Sequence, residues 1–171
     1  MKQEELPQRK RLRWEKFDYS LPGHYFMTVV ANERKCLFGM IEDQQMYLSP
    51  AGKMIDDAII TLPQIFPGIT VWQHVVMPNH IHILMMNDGQ HQMSNVMNSL
   101  KTYTTNKYIA GVKNDGWPRY HQSLWQRSFY DHVVRDASEF EMIADYIFHN
   151  PMHWNKDVLN PLFCPPDPTT P

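Results

Sequence analysis

Cysteine is nearly absent from this chain of 171 residues: Cys36 and Cys164 are its only two, far apart and outside any C-x-x-C spacing. That excludes a disulfide framework and a cysteine-based zinc site. Long hydrophobic runs are missing too, none approaching the roughly 18 residues of a membrane span, so no membrane partner is expected. Residues 1–20 are charged nearly throughout and lack the apolar centre of a secretory signal, which makes the cytoplasm the expected address. There is no internal repeat. Excess charge is also lacking: 16 Lys and Arg against 18 Asp and Glu give a formal −2, and the total by itself counts against a nucleic-acid partner. What is present is 43% hydrophobic and 12% aromatic residues, which excludes a disordered chain and fits one domain with short tails.

The distribution of charge says more than its sum. Residues 1–20 form an N-terminal arm at +2 and residues 21–100 carry −3. From Lys101 to Arg135 six basic residues face only Asp115 and Asp131, and the remainder runs at −5. The basic middle segment is interleaved with Tyr103, Tyr108, Trp117, Tyr120, Trp125, Phe129 and Tyr130, as a single-stranded nucleic-acid groove would be. On charge alone a solvated helix face is the simpler reading. Five prolines from residue 159 onward mark an irregular tail. The chain therefore divides into an arm (1–20), a domain (21–158) and a Pro-rich tail (159–171).

Within the domain, Tyr25–Ala31 is β-branched and aromatic and reads as a strand, followed by a weaker hairpin at 37–41 and 46–48 parted by Glu42-Asp43. Ser49-Pro50 pairs an N-cap with proline at the first helical position and opens a helix carrying Met54, Ile55, Ala58, Ile59 and Leu62, closed by Pro63. Strands follow at 69–77 and 80–86 around the turn pair Pro78-Asn79. A second helix is expected over 94–109, a polar loop over 111–122 and extended chain over 124–134. Ser138 and Glu141 have capping-box spacing for a last helix with the stripe Phe140, Ile143, Ala144, Ile147, ending at Pro151. This order predicts an α+β fold, an antiparallel sheet with helices on one face, related to the ferredoxin-like split βαβ plan.

The sharpest motif is Met77-Pro-Asn-His80-Ile-His82-Ile-Leu. Strand alternation sends Ile81, Ile83 and Met85 into the core and His80 and His82 together to the opposite face. Two imidazoles on one face make a clip for a divalent metal that leaves positions open for substrate, or they are ordinary surface histidines. On the last helix Tyr146 and Asn150 lie one turn apart, so if that helix packs beside the histidine strand the Asn150 amide reaches a metal and the Tyr146 hydroxyl reaches a phosphate held there. Taken singly, Tyr146 is an amphipathic boundary residue and Asn150 a helix C-cap.

Four stretches in order, Tyr19-Ser-Leu-Pro-Gly-His-Tyr-Phe26, Val75-Val-Met-Pro-Asn-His-Ile-His82, Leu124-Trp-Gln-Arg-Ser-Phe-Tyr-Asp-His-Val-Val-Arg135 and Asp145-Tyr-Ile-Phe-His-Asn-Pro151, resemble the HUH single-strand endonucleases, and among them the REP-associated tyrosine transposases. The resemblance implies an RRM-like HUH endonuclease fold over 21–158, metal ligation by His80, His82 and Asn150, and Tyr146 as nucleophile. It implies cleavage of single-stranded DNA near a hairpin through a 5′-phosphotyrosine link, rejoining by the freed 3′-hydroxyl, Mg²⁺ or Mn²⁺ as the cofactor and no nucleotide cofactor. Lys101, Lys107, Arg127 and Arg135 are then the expected DNA contacts, with the arm Arg9-Lys-Arg-Leu-Arg13 either adding groove contacts or remaining a solvated tail. For the base that deprotonates Tyr146, His149 and a metal-bound water are the candidates, although a surface histidine is the simpler reading of His149. Met152-His-Trp-Asn155 departs from the basic, Gly-containing continuation usual in the family. Two rival readings stand beside this one: a non-catalytic single-stranded DNA or RNA binding module with a sheet binding face, and a phosphodiesterase that uses water. A homodimer in which a partner chain supplies Tyr146 and Asn150 is the alternative assembly.

Overall fold

The computed structural model describes residues 20–162. The arm up to residue 19, its basic run at 9–13, and residues 163–171 of the tail lie outside the described residues. Strand β1 (Gly23–Val30) is followed by a hairpin of β2 (Gly39–Glu42) and β3 (Gln45–Leu48), helix α1 (Pro50–Ile60) and the short α2 (Leu62–Ile65). Then come β4 (Ile69–Val76), β5 (His80–Asn87), α3 (Met93–Asn114), β6 (Tyr130–Val134) and α4 (Ala137–His149), which runs into a 3-10 segment, Asn150–Lys156. The four long strands form one antiparallel sheet in the order β4-β5-β1-β6, and β2-β3 stand apart as a two-stranded ribbon. With the ribbon set aside, the chain runs β-α-β-β-α-β, the split βαβ plan expected from the sequence.

Strand alternation divides the sheet into two faces. Tyr25, Met27 and Val29 of β1 pair with Met85, Ile83 and Ile81 of β5, and all six are fully buried with Ile55 and Ile59 of α1 and Val96, Met97 and Leu100 of α3. Each such side chain contributes about 1.5–3 kcal/mol on burial. Helices α1 and α3 thus cover one face, as expected. Helix α4 differs: it lies across the other face, where the Phe140 ring meets His24 at 5.1 Å and the Tyr146 ring meets Phe26 at 6.1 Å. Its apolar stripe has only that surface left to cover, since α1 and α3 occupy the first.

Local signals explain most boundaries. Ser49 caps α1, its hydroxyl accepting from the Gly52 N–H at 3.1 Å, with Pro50 in the first turn. The cap of α4 falls two residues before the expected Ser138: Asp136 accepts from Glu139 N–H at 2.9 Å, while Glu139 reaches back to Arg135 N–H at 2.7 Å. The spacing logic is that of Ser138/Glu141, but Asp136, two residues past the strand, reaches the free amides first. Helix α3 runs past Ile109 to Asn114, and Gly111 leaves room for the Trp117 ring, which an added Cβ would meet. The stretch expected to be extended over 124–134 is strand only from Tyr130, with a single bridge between Ala31 and Trp125. Packing continues beyond the 3-10 segment to the buried Asn160, whose amide donates to Trp154 O at 3.0 Å. Among the described residues no helix is long and apolar enough to cross a membrane.

Candidate active site

His80 and His82 share the sheet face under α4, yet neither is exposed: their relative accessibilities are 0% and 4%. A buried imidazole needs partners, and both have them. The Asn79 amide donates through Nδ2 to the carbonyls of Arg34 (2.9 Å) and Leu159 (2.8 Å), which fixes its orientation and turns Oδ1 toward His80 Nδ1 at 2.9 Å. An amide oxygen only accepts, so His80 carries its proton on Nδ1 and leaves a lone pair on Nε2. His82 Nδ1 meets the Thr28 hydroxyl at 2.7 Å, a contact created by the β1–β5 register. The two Nε2 atoms face each other at 3.1 Å. Burial lowers the His80 pKa to about 3, which the nearby Asn150 amide only partly offsets, and burial and then the His80 neighbour hold His82 well below its ordinary value. Two neutral rings therefore converge their ring nitrogens on one spot.

Helix α4 delivers the remaining groups within the same chain. The Tyr146 hydroxyl lies 3.4 Å from His82 Nε2 and its ring 5.3 Å from the His82 ring. Asn150, one turn on, is buried, and its Oδ1 has no hydrogen-bond partner among the described residues. It stands near enough to His80 and Tyr146 to polarise both, outside good hydrogen-bond geometry. A buried amide oxygen without a donor is costly unless a cation or water completes it. Two imidazole nitrogens and one orphaned amide oxygen are the donor set of a divalent cation, so these residues fit one. Among the described residues no group of three His, Cys, Asp or Glu side chains is arranged to hold a metal ion.

The family model described as "Transposase IS200 like" matches residues 25–150, most of the chain and all of this site. The chain belongs to that family. Among relatives of this IS200-like transposase, an uncharacterised Haemophilus influenzae protein is 29% identical over 168 residues, 88% of this chain and 92% of the relative. A REP-associated tyrosine transposase of Escherichia coli is 28% identical over 144 residues, 82% of this chain and 74% of the relative. A solved structure of a REP-associated tyrosine transposase bound to a REP hairpin superposes with a TM-score of 0.61 at 22% identity, covering 82% of this chain and 72% of that one. At that identity the likeness speaks for the fold, in agreement with the strand order.

The transposase thus brings His80, His82, Tyr146 and Asn150 together without a second copy. Of the expected DNA contacts, Lys101 and Lys107 lie in the other layer. Lys101 lies on α3, which covers the opposite face, and its ammonium donates to the carbonyls of Gln126 (2.8 Å) and Arg127 (2.9 Å), with burial lowering its pKa. Lys107, also on α3, stands 5.6 Å over the Tyr103 ring. Arg127 is exposed in the loop before β6. Arg135 is exposed at the start of α4 and bridged to Glu139 at 3.0 Å. His149 is paired with Asp145 at 3.0 Å on α4. Three residues escaped sequence reasoning. Asn79 carried a turn signal and nothing more, Thr28 meets His82 only through strand register, and Asp157, whose Oδ2 is 3.6 Å from His80 Nε2, follows the last helix in irregular chain. Burial raises the Asp157 pKa.

Proposed function

We propose that this transposase cuts and rejoins single-stranded DNA beside hairpins through a covalent phosphotyrosine, with Tyr146 as the nucleophile. The observation that carries the reading is the approach of the Tyr146 hydroxyl to His82 Nε2, beside His80 and the orphaned Asn150 oxygen. Family membership supports it, as does similarity to a relative named a REP-associated tyrosine transposase. In the forward step the Tyr146 oxygen attacks phosphorus; the O–P bond forms, the P–O3′ bond breaks, the phenol proton leaves and the departing 3′-oxygen gains one. Burial raises the Tyr146 pKa. Rejoining is the reverse: a 3′-hydroxyl attacks the link and the phenol departs, a better leaving group than an alkoxide because its pKa is about 10.

His80 and His82 through Nε2 and Asn150 through Oδ1 would hold a divalent cation, Mg²⁺ or Mn²⁺ by the hardness of the phosphate oxygens it must serve. Bound there, such an ion neutralises charge on the scissile phosphate and supports the leaving oxygen. Asn79 and Thr28 keep the two rings turned so that Nε2 faces the site. The exposed Arg127 and Arg135, with Lys107 from the other layer, are candidates for phosphate contacts; alanine at these positions should weaken hairpin binding and reduce its salt dependence.

The test is direct. Hairpin DNA with single-stranded flanks and Mn²⁺ should give a denaturant-resistant protein–DNA adduct that Tyr146→Phe abolishes. Binding without an adduct across a broad hairpin panel would make the chain a binding module. Cleavage that survives Tyr146→Phe but is lost in His80→Ala would make water the nucleophile.

A further inference from the structure

Two residues along β1 from Phe26, about 7 Å toward the other end of the same sheet face, lies a cavity of about 500 Å³ that the reaction described above does not use. Its walls are His24 of β1, Trp72 of β4, Val134 at the end of β6, and Phe140 at the start of α4, with Arg135 and Glu141 at the rim. Trp72 sits where the β4–β5 register shifts between Val71 and Gln73, and such a bulge re-aims a side chain at the expense of ladder regularity. The re-aimed indole is 55% exposed. The indole touches Phe140 and His24 and still leaves more than half of its surface to solvent.

The three rings meet at angles and do not stack. Trp72 and Phe140 are 5.9 Å apart at 88°, His24 and Phe140 5.1 Å at 75°, and His24 and Trp72 6.4 Å at 48°. Their flat surfaces are therefore not used up on one another. The cluster also continues into the catalytic one, since Phe26, two residues from His24, contacts His82 (5.3 Å) and Tyr146 (6.1 Å). Tyr146 is 47% exposed on α4, and the cavity lies by Phe140 near the other end of the same helix. The cavity has room for a flat ring, and among its lining residues are an exposed guanidinium, held by Glu139, and the exposed Glu141 carboxylate. Those groups can hydrogen-bond a base edge, which a purely apolar partner would leave unpaired.

Resting on the proposed hairpin-DNA reading, we propose that His24, Trp72 and Phe140 form a pocket that stacks one unpaired nucleobase of the strand engaged at Tyr146, with Arg135 and Glu141 at its edge. Stacking on an aromatic ring is sequence-tolerant and strong enough to set the position of a flexible strand. The pocket would act as a ruler, fixing which phosphate reaches the nucleophile.

The experiment measures anisotropy of labelled DNA hairpins carrying a short randomised single-stranded flank, against the bare hairpin, with the full chain and with Trp72→Ala, Trp72→Phe and Tyr47→Ala. Tyr47 is an exposed aromatic on the separate ribbon and serves as a matched loss. Trp72→Ala should weaken binding of the flanked hairpin about 5- to 50-fold and leave the bare hairpin unchanged; Trp72→Phe should restore most of it and Tyr47→Ala should change neither. Abasic substitution along the flank should find one position whose loss costs the wild type as much as Trp72→Ala does and costs that variant nothing more. Equal effects on flanked and bare DNA, or no coupled position, overturn the pocket while leaving hairpin binding intact. A wild type that binds none of these DNAs overturns the hairpin reading and the pocket with it. Thermal melting of each variant separates misfolding from lost stacking.

Discussion

Where β1 and β5 pair at the centre of the sheet, the residues at 27–29 and 80–83 are buried on both faces, yet the two faces obey different rules. On one, Met27, Val29, Ile81 and Ile83 meet α1 and α3 and need only matching volume. On the other, Thr28, His80 and His82, interleaved with those residues, need hydrogen-bond partners and find them in one another and in Asn79. Among the described residues the buried Asn150 Oδ1 has no hydrogen-bond partner. Burial therefore does not distinguish core from site in this molecule; what distinguishes them is whether each buried atom is complete without a ligand.

Neighbouring substitutions on β5 break that comparison most sharply. His82→Gln should reduce adduct formation to background and remove a metal donor, while costing clearly less stability than a change in the core. Ile83→Ala, one residue on, should cost about 2–5 kcal/mol by urea unfolding and leave the activity of the molecules still folded near normal. If His82→Gln destabilises as much as Ile83→Ala, the polar face is a second core and the assignment of His82 to a metal falls.

A smaller effect is expected at Asn79. Partners that orient a metal-binding imidazole typically govern 10- to 100-fold in affinity, so Asn79→Ala should weaken Mn²⁺ binding by about that factor, read by electron paramagnetic resonance in the absence of DNA. Asn79→Asp separates two roles. It keeps the acceptor for His80 Nδ1 but strips the donors from Arg34 O and Leu159 O, so affinity should largely survive while stability falls. Equal loss of affinity in both variants would mean that Asn79 acts only by holding the Leu159 segment in place.

Local rules carried the sequence reading far along β5, where alternation alone places His80 and His82 opposite Ile81 and Ile83, and at α1, where Ser49-Pro50 marks the start. The spacing of Tyr146 and Asn150 likewise follows from one helical turn. What could not be read locally depends on register or on packing between distant segments. Thr28 reaches His82 only because β1 and β5 pair as they do, the Trp117 ring folds back onto Gly111 of α3, and Lys101 is tied to carbonyls of a loop 25 residues away. Charge counting therefore placed Lys101 among DNA contacts, where the fold gives its ammonium two carbonyl partners. The position of Trp72 in a bulge is similarly invisible in a run of strand-forming residues.

The smallest effect tests whether the rim of the polar face also follows pairing. Glu139 accepts from the Arg135 guanidinium and from Arg135 N–H, and meets His132 Nε2 at 2.8 Å; together these hold its carboxyl down at about 2. Its side chain is covered by those partners and not by the protein interior, so solvent and salt screen the network. The pKa is depressed in the folded state, so the stabilisation is present above the ordinary carboxylate pKa and is lost as pH falls toward about 2. A carbon-13 titration of the Glu139 carboxyl should place its midpoint well below the usual carboxylate range, and Arg135→Ala should return it most of the way. A midpoint at the ordinary value in the wild type would show that the rim does not share the pairing found under α4, and would leave the start of that helix held by the Asp136 cap alone.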